Sequence, residues 1–161
     1  MSHPENIHNL QLKRLQEVLA VAITENAFYG PRITAAGIDP STVTLTSFVE
    51  MMPFTTRADW VQDQLDHPPY GTDLSFPRAA YNRFCRTSGS TGTPMHWLDT
   101  PASWSAMLDG WEEVFRQSGV TDHTSIFFAF SFGPFLGFWT AYEAAARAGH
   151  LVIPGGGALL R

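Results

Sequence analysis

The chain contains one cysteine and one lysine, and these scarcities exclude several classes of protein. Because Cys85 has no second cysteine to pair with, no internal disulfide can form, which favours a cytoplasmic setting. With Lys13 as its single lysine and a net charge of −5, the chain lacks the basic patch through which nucleic-acid-binding proteins neutralise phosphates. We therefore expect no nucleic-acid partner.

Long apolar runs are also missing. No stretch reaches the ~18 consecutive apolar residues that a membrane-spanning helix requires, and the first residues lack the charged and apolar regions of a signal peptide. We therefore expect no membrane association. Aromatic residues are abundant instead, with 12 Phe and 5 Trp among 161 residues, and this is more apolar surface than a chain of this size readily hides. The composition thus indicates an interaction surface.

The sequence lacks the common catalytic and phosphate-binding motifs. It contains neither Gly-x-x-x-x-Gly-Lys-Ser/Thr nor Gly-x-Gly-x-x-Gly, and the spacing of Gly-x-Ser-x-Gly is absent too. The six histidines show no ligand spacing with one another or with Cys85, so no metal site is predicted. Cys85 and His96 are either a nucleophile pair or, as we favour, a buried inert thiol beside an unrelated imidazole. No catalytic residue is predicted.

What the chain does contain is an unusual run from Thr87 to Pro94, which we name the glycine–hydroxyl loop. Seven of its eight residues are glycine or carry a hydroxyl, so the run cannot build a core. It is either a flexible loop or a turn whose backbone N–H groups and hydroxyls converge on a phosphate. Residues 81–87 and 95–99 flank it as candidate antiparallel strands, which favours a tight turn.

The remaining pattern predicts an α/β fold in which helices come first and a parallel strand–helix–strand unit comes last. The first helix is predicted from Ile7 to Phe28, with Gly30-Pro31 ending it and a loop over residues 31–45. The other expected helices are residues 47–52, a helix capped by Thr56 and Asp59, a helix that opens at Thr100-Pro101 and ends at Gly119, and residues 135–148. The apolar runs 125–132 and 150–154 are expected to be parallel strands covered on both faces.

The glycine–hydroxyl loop resembles the phosphate loop of adenylate-forming enzymes, Ser/Thr-Ser-Gly-Ser/Thr-Thr-Gly-x-Pro, and matches it from Thr87 to Pro94. Met95 stands where many members have lysine. The neighbourhood is similar to the phenylacetate–CoA ligase branch. The matching segments, in order, are Tyr29-Gly30, Met52-Pro53-Phe54-Thr55-Thr56-Arg57-Ala58-Asp59, Phe132-Gly133-Pro134-Phe135, and Leu151-Val152-Ile153-Pro154-Gly155-Gly156-Gly157.

The resemblance implies that the chain is the N-terminal part of an AMP-binding domain over residues 1–161. A mostly helical lead-in would occupy residues 1–75, and the phosphate loop and the βαβ unit would occupy residues 76–161. The implied ligands are ATP or AMP, Mg²⁺, and CoA as co-substrate. The residues expected to bind the nucleotide are Ser88, Gly89, Ser90, Thr91, Gly92 and Thr93. Arg86 and His96 are candidates, by proximity, to supply the positive charge that Met95 does not.

The segment Phe132-Gly133-Pro134-Phe135 has two readings. It follows a predicted parallel strand, where ligands collect in open sheets, so Phe132, Gly133 and Phe135 are either one wall of an acid-binding pocket or a buried strand–helix corner. The Phe-rich surroundings favour an apolar or aryl carboxylic acid.

The implied activity is that of a carboxylate–CoA ligase, which converts ATP and an acid to acyl-AMP and then to acyl-CoA. The family's adenine-binding, magnesium-binding and ribose-binding segments, and its C-terminal lysine, lie beyond the stretch that this chain matches. We therefore expect a fragment that is inactive alone and whose remaining portion is a separate chain, or one that forms a homo-oligomer. The alternative is a non-catalytic nucleotide-binding or assembly module that docks onto a partner.

Overall fold

The computed structural model describes residues 4–89 and 92–156, which form two compact units divided between Arg78 and Ala79. The first unit is helical and the second contains all the strands of the described residues. None of the helices in these ranges has the length and hydropathy needed to cross a membrane.

The first unit contains four helices: α1 (Pro4–Glu25), α2 (Tyr29–Ala35), α3 (Leu45–Met51) and α4 (Arg57–Asp66). Its core consists of buried aliphatic side chains contributed by α1, α2 and the α2–α3 connection, namely Leu19, Ile33, Ile38 and Val43. The core-facing positions of α1 recur every three or four residues, as the sequence pattern predicted.

The helix α2 corrects the prediction that Gly30-Pro31 would end a single long helix and that residues 31–45 would be a loop. The first helix ends at Glu25, and Gly30 and Pro31 lie in the first turn of a new helix, where proline's missing N–H costs no hydrogen bond. Asn26 separates the two helices, because its side-chain oxygen accepts hydrogen bonds from the N–H groups of Phe28 and Tyr29 at 3.1 and 2.8 Å. Glycine is required at position 30 because a Cβ there would lie 2.8 Å from the carbonyl oxygen of Ile23.

Threonine residues cap the next two helices. Thr44 caps α3, whose first residue lies two positions before the predicted one. Thr56 caps α4 and accepts a hydrogen bond from the N–H of Asp59, while the Asp59 carboxylate accepts one from the N–H of Thr56. The predicted capping box is therefore confirmed, and it explains Thr56 and Asp59 without any catalytic role.

The second unit begins with an antiparallel ribbon of β1 (Arg83–Arg86) and β2 (His96–Asp99), preceded by a short 3₁₀ turn, Arg78–Ala80. Helix α5 (Pro101–Gln117) starts as predicted, with Thr100 at the cap and proline in the first turn. The chain then forms β3 (Ser125–Phe128), α6 (Leu136–Arg147) and β4 (Leu151–Pro154). Strands β3 and β4 pair in parallel, which confirms the predicted strand–helix–strand unit.

Helices α5 and α6 pack on each other and on both strand pairs. The buried residues Cys85, Trp104, Leu108 and Ala144 form one cluster, and Phe128, Ala141 and Ala145 form a second. Polar contacts join the same elements: Glu143 of α6 accepts hydrogen bonds from Trp104 Nε1 and Arg83 Nη2, each at 2.8 Å.

Two predictions about the parallel pair were wrong. Strand β3 ends at Phe128, four residues before the predicted end at Phe132. Neither strand is covered on both faces, because α5 and α6 pack on one face only and Phe127, Leu151 and Ile153 remain 51%, 62% and 42% exposed. The continuous apolar run therefore indicated the strands but not their burial.

Candidate functional site

The β1–β2 ribbon carries the glycine–hydroxyl loop at its tip. The last paired residues of the ribbon are Arg86 and His96, and two further hydrogen bonds continue the pairing beyond them. The N–H of Thr87 donates to the carbonyl oxygen of Met95 at 3.0 Å, and the N–H of Met95 donates to Thr87 Oγ1 at 2.9 Å. Both ends of the loop are therefore held together, as in a tight turn rather than a linker.

The loop itself depends on glycine. Gly89 and Gly92 have φ angles of 70° and 139°, and the N–H of Gly92 donates to the carbonyl oxygen of Gly89 at 3.0 Å. A Cβ on Gly89 would lie 2.7 Å from Pro94 Cγ and 2.9 Å from the Gly92 oxygen, so no side chain fits there. Ser88, Gly92 and Thr93 are exposed, which leaves this part of the loop accessible to a ligand. Ser90 and Thr91 lie outside the described residues, and nucleotide binding by the loop stays a prediction.

The aromatic segment Phe132-Gly133-Pro134-Phe135 lies between β3 and α6 and forms a closed corner. The carbonyl oxygen of Gly133 accepts a hydrogen bond from Trp139 Nε1 at 2.8 Å, and a Cβ on Gly133 would lie 2.6 Å from Phe135 Cε2. The Phe132 ring packs against Trp139 and Tyr142, with centroid distances of 4.8 and 5.1 Å. The segment is half-buried and forms the strand–helix corner that was one of its two interpretations. Its use as a pocket wall stays a prediction.

A backbone hydrogen bond joins the base of the glycine–hydroxyl loop to the aromatic segment. The N–H of Arg86, the last residue of β1, donates to the carbonyl oxygen of Pro134 at 2.7 Å. The strand that leads into the glycine–hydroxyl loop is thus fixed to the middle of the aromatic segment. The second unit therefore brings the predicted nucleotide-binding and acid-binding residues into one local structure.

Sequence reasoning missed the part played by the glycines that follow β4. The N–H of Gly155 donates to the Phe128 oxygen at 2.9 Å, and a Cβ on Gly155 would lie 2.7 Å from that oxygen and from Phe127 Cζ. A Cβ on Gly156 would lie 3.4 Å from the backbone nitrogen of Phe132. Gly155 therefore lets the end of β4 close against β3, while Gly156 makes ordinary contact with Phe132, and the available signal was a glycine run directly after a strand.

The ribbon separates the two members of the suggested Cys–His pair. Successive side chains of a strand point to opposite faces, and Cys85 is paired with Trp97, whereas the His96 ring packs on Phe84 at 5.3 Å. Cys85 is buried, and this burial, with the nearby charge of Asp99, raises the pKa of its thiol. The structure therefore supports the buried inert thiol.

Charged residues and an apolar groove lie near the loop. Arg86 and His96, the two residues considered as replacements for a lysine at Met95, are opposite each other at the base of the loop. A groove of about 370 Å³ lies beside β2, lined by Trp97, Leu98, Asp99 and Leu136. Among residues 4–89 and 92–156, no three or more His, Cys, Asp or Glu side chains are grouped so that they could hold a metal ion.

Comparison with known proteins gives consistent relatives. The chain is 25% identical over 155 residues to the phenylacetate–coenzyme A ligase of Thermus thermophilus, an alignment that covers 96% of this chain and 34% of that enzyme. It is 26% identical to a crystal structure of 2-hydroxyisobutyryl-CoA ligase with 2-HIB-AMP and CoA in the thioesterification state, with a TM-score of 0.89 over 98% of this chain and 33% of that one. An open conformation of that ligase, with the same two ligands, gives a TM-score of 0.87 at 25% identity and covers 98% of this chain and 36% of the ligase. No protein-family model matches the chain.

The chain thus spans about a third of the length of the relatives that it matches. Almost its whole length aligns with them in sequence and in fold. The resemblance to adenylate-forming enzymes of the phenylacetate–CoA ligase-like branch, over their N-terminal portion, is therefore confirmed.

Proposed function

We propose that this chain is the phosphate-binding portion of a carboxylic acid–CoA ligase. In the complete reaction, ATP and the acid give acyl-AMP and pyrophosphate, and the thiol of CoA then displaces AMP. One observation carries the proposal: an exposed turn of glycine and hydroxyl residues is fixed by the Arg86–Pro134 hydrogen bond to an aromatic corner. This arrangement occurs within a fold similar to that of a ligase that binds an acyl-AMP and CoA.

The glycine–hydroxyl loop binds and orients the nucleotide. Backbone N–H groups and hydroxyls of residues 88–93 donate to the β- and γ-phosphates, so that the α-phosphorus faces the attacking carboxylate. Gly89 fits this task, because its positive φ turns the backbone where a side chain would collide with Pro94. Mg²⁺, which partly neutralises the triphosphate, enters with ATP. Arg86, opposite His96, supplies further positive charge at the base of the loop, since Met95 supplies none.

The acid lies against the aromatic corner. Phe132, Gly133 and Phe135 form one wall of its site, and the absence of a Cβ at Gly133 lets the Phe135 ring pack directly on the backbone. Phe132 is held by Trp139 and Tyr142, so this wall is apolar and aromatic. The wall fits a small carboxylic acid with an aryl or other apolar group.

Nucleotide binding can be tested on the 161-residue chain by titration with Mg·ATP. Ser88→Ala and Thr93→Ala should each weaken binding by about tenfold, since each removes a hydrogen bond to a charged group. The control is Ser118→Ala, an exposed serine that follows α5 and should leave binding unchanged. No binding by the parent chain, or equal effects of all three variants, would contradict the proposal.

An assay of thioester formation distinguishes a portion of a ligase from a complete enzyme. Because the chain spans about a third of the matched ligases, we expect no thioester from this chain with ATP, CoA and an acid. Steady ATP-dependent thioester formation by the purified chain would refute that expectation. If the chain binds ATP and restores no activity to a separately supplied remainder of such a ligase, a non-catalytic nucleotide-binding module becomes the better description.

The open face of β3–β4 favours a second candidate, an assembly module. Phe127, Leu151 and Ile153 are exposed together on this face, which suits docking onto a partner chain that covers the face. Size-exclusion chromatography of the chain at several concentrations tests this candidate. Elution at the volume of a 161-residue monomer at every concentration would argue against obligate docking through this face. In that case Leu151→Glu should leave the elution volume unchanged.

A further inference from the structure

We propose that the exposed face of α1 is a self-association surface that binds α1 of a second copy in antiparallel orientation. Four apolar residues of the helix point away from the core. Their exposed fractions are 47% for Ile7, 47% for Leu10, 64% for Val18 and 42% for Val21. With Arg14 they occupy a stripe about 80° wide on the helix, beside the core face formed by Leu15, Leu19, Ala22 and Ile23. We name these five residues the α1 stripe.

The spacing of the α1 stripe is symmetric about Arg14. Leu10 and Val18 lie four residues from it on either side, and Ile7 and Val21 lie seven residues from it. A two-fold axis through Arg14 of an antiparallel pair therefore places Ile7 opposite Val21 of the second copy, and Leu10 opposite Val18. The mean step of about 3.5 residues is also the spacing of a two-helix seam. The stripe is thus complementary to a second copy of itself.

This pairing also brings opposite charges of the two copies together. In this pairing the two Arg14 side chains approach each other, but Glu17 of the second copy lies only about 4.5 Å further along the axis, within reach of each guanidinium. Within one copy, Glu17 contacts Lys13 at 3.9 Å while both side chains remain largely exposed, and so weak a pair leaves Glu17 able to turn toward Arg14 of the second copy. A central polar residue of this kind specifies register at some cost in affinity.

The surface beside the stripe has room for the second copy. A largely apolar groove of about 460 Å³ borders Val18 and Val21, and Tyr29 and Phe76 line its other side. In the antiparallel pair, Leu10 and Ile7 of the second copy lie beside Val18 and Val21 and can enter this groove. Four apolar side chains from each copy make a small interface, so the dimer is expected to be weak and concentration-dependent.

Sedimentation equilibrium of the 161-residue chain tests the proposal. The parent chain should show a reversible monomer–dimer equilibrium, and Val18→Glu should weaken it by at least about tenfold, because a buried unpaired carboxylate is costly. The matched control is Val49→Glu in α3, where the valine is 78% exposed and lies outside the stripe. A chain that stays monomeric at every concentration overturns the proposal, and so do equal effects of the two variants; another polypeptide would then cover the stripe.

Exchanging the charges of Arg14 and Glu17 gives a second test, in which one substitution weakens association and a second restores it. Arg14→Glu should weaken association by about tenfold, since it places a carboxylate beside Glu17 of the second copy, and adding Glu17→Arg should restore most of it. Failure of the double variant to restore association overturns the proposed contact between Arg14 of one copy and Glu17 of the other. Circular dichroism confirms that each variant keeps its helix content. Mg·ATP titration should be unchanged in all of these variants, which separates this proposal from that of the glycine–hydroxyl loop.

Discussion

Two glycine segments of the second unit serve opposite physical purposes. In the glycine–hydroxyl loop, Gly89 and Gly92 have positive φ angles, and Gly92 is exposed. After β4, Gly155 and Gly156 have no such φ angle but lie against Phe127, Phe128 and Phe132. The first segment therefore uses glycine to turn the backbone, and the second uses Gly155 because the neighbouring strand leaves no room for a side chain there.

The difference explains why only the first segment is a candidate ligand site. Gly155 serves the fold, because its N–H is bonded to the Phe128 oxygen of the neighbouring strand and its Cα packs against the Phe127 ring. The loop bonds inward through Gly92, while the exposed Ser88 and Thr93 border it on the solvent side. Glycine content alone is thus a poor guide to phosphate binding, and the φ angle is what separates the two segments.

The largest effect is expected at Gly155. Gly155→Ala would place a Cβ 2.7 Å from the backbone oxygen of Phe128, which cannot move without shifting β3, so the free energy of unfolding should fall by roughly 3 kcal/mol. Chemical denaturation of the purified variant measures this. A loss below ~1 kcal/mol would show that the end of β4 is not closed on β3 as described.

A smaller loss of stability, accompanied by a loss of ligand binding, is expected at Gly89. Gly89→Ala combines a φ of 70° with contacts to Pro94 and to the Gly92 oxygen, so it should cost about 2 kcal/mol. Because the strain distorts the loop, the affinity for Mg·ATP should fall as well. Gly155→Ala, in contrast, should lower stability more than it lowers nucleotide affinity. Unchanged nucleotide affinity in a folded Gly89→Ala variant would remove the distinction between the two segments.

Gly149→Ala measures the free-energy cost of a positive φ angle without steric crowding. The φ of Gly149 is 87° and a Cβ would meet nothing within 4 Å, so Gly149→Ala should cost only about 1 kcal/mol. The same denaturation experiment measures it. The stability loss at Gly89 minus the loss at Gly149 then gives the part that comes from crowding in the loop.

The smallest effect, and the opposite sign, is expected at Gly110. This exposed glycine lies inside α5 with open space around its Cα and without a positive φ, so Gly110→Ala should raise the free energy of unfolding by about 0.8 kcal/mol. A decrease would mean that helix propensity does not govern this site. The variant also serves as the stability control for the other three.

Local signals in the sequence predicted much of the fold. The threonine caps at Thr56 and Thr100 and the hairpin around the loop depend on neighbours in sequence, so they were readable from composition and spacing. The parallel pairing of β3 and β4 was predicted because a helix of suitable length separates two apolar runs.

The errors arose where a residue's role depends on distant contacts. Gly30-Pro31 looked like a helix end, but Gly30 is required by its approach to Ile23, and Asn26 organises the turn through Asp73 and Ser75, far along the chain. The exposed face of β3–β4 could not be read from the apolar run, because burial depends on what packs against the strand. The hydrogen bond between Arg86 and Pro134, which unites the candidate site, joins residues too far apart for sequence spacing to reveal.

The central claim, that the glycine–hydroxyl loop holds the phosphates of ATP, is tested most directly by following backbone amide resonances during a Mg·ATP titration. We expect the amides of Gly89, Gly92 and Thr93 to shift in a saturable manner, while those of Gly155 and Gly156 stay near their starting positions. Saturable binding that leaves the loop amides unmoved, or shifts that centre on Gly155 and Gly156 instead, would contradict the account.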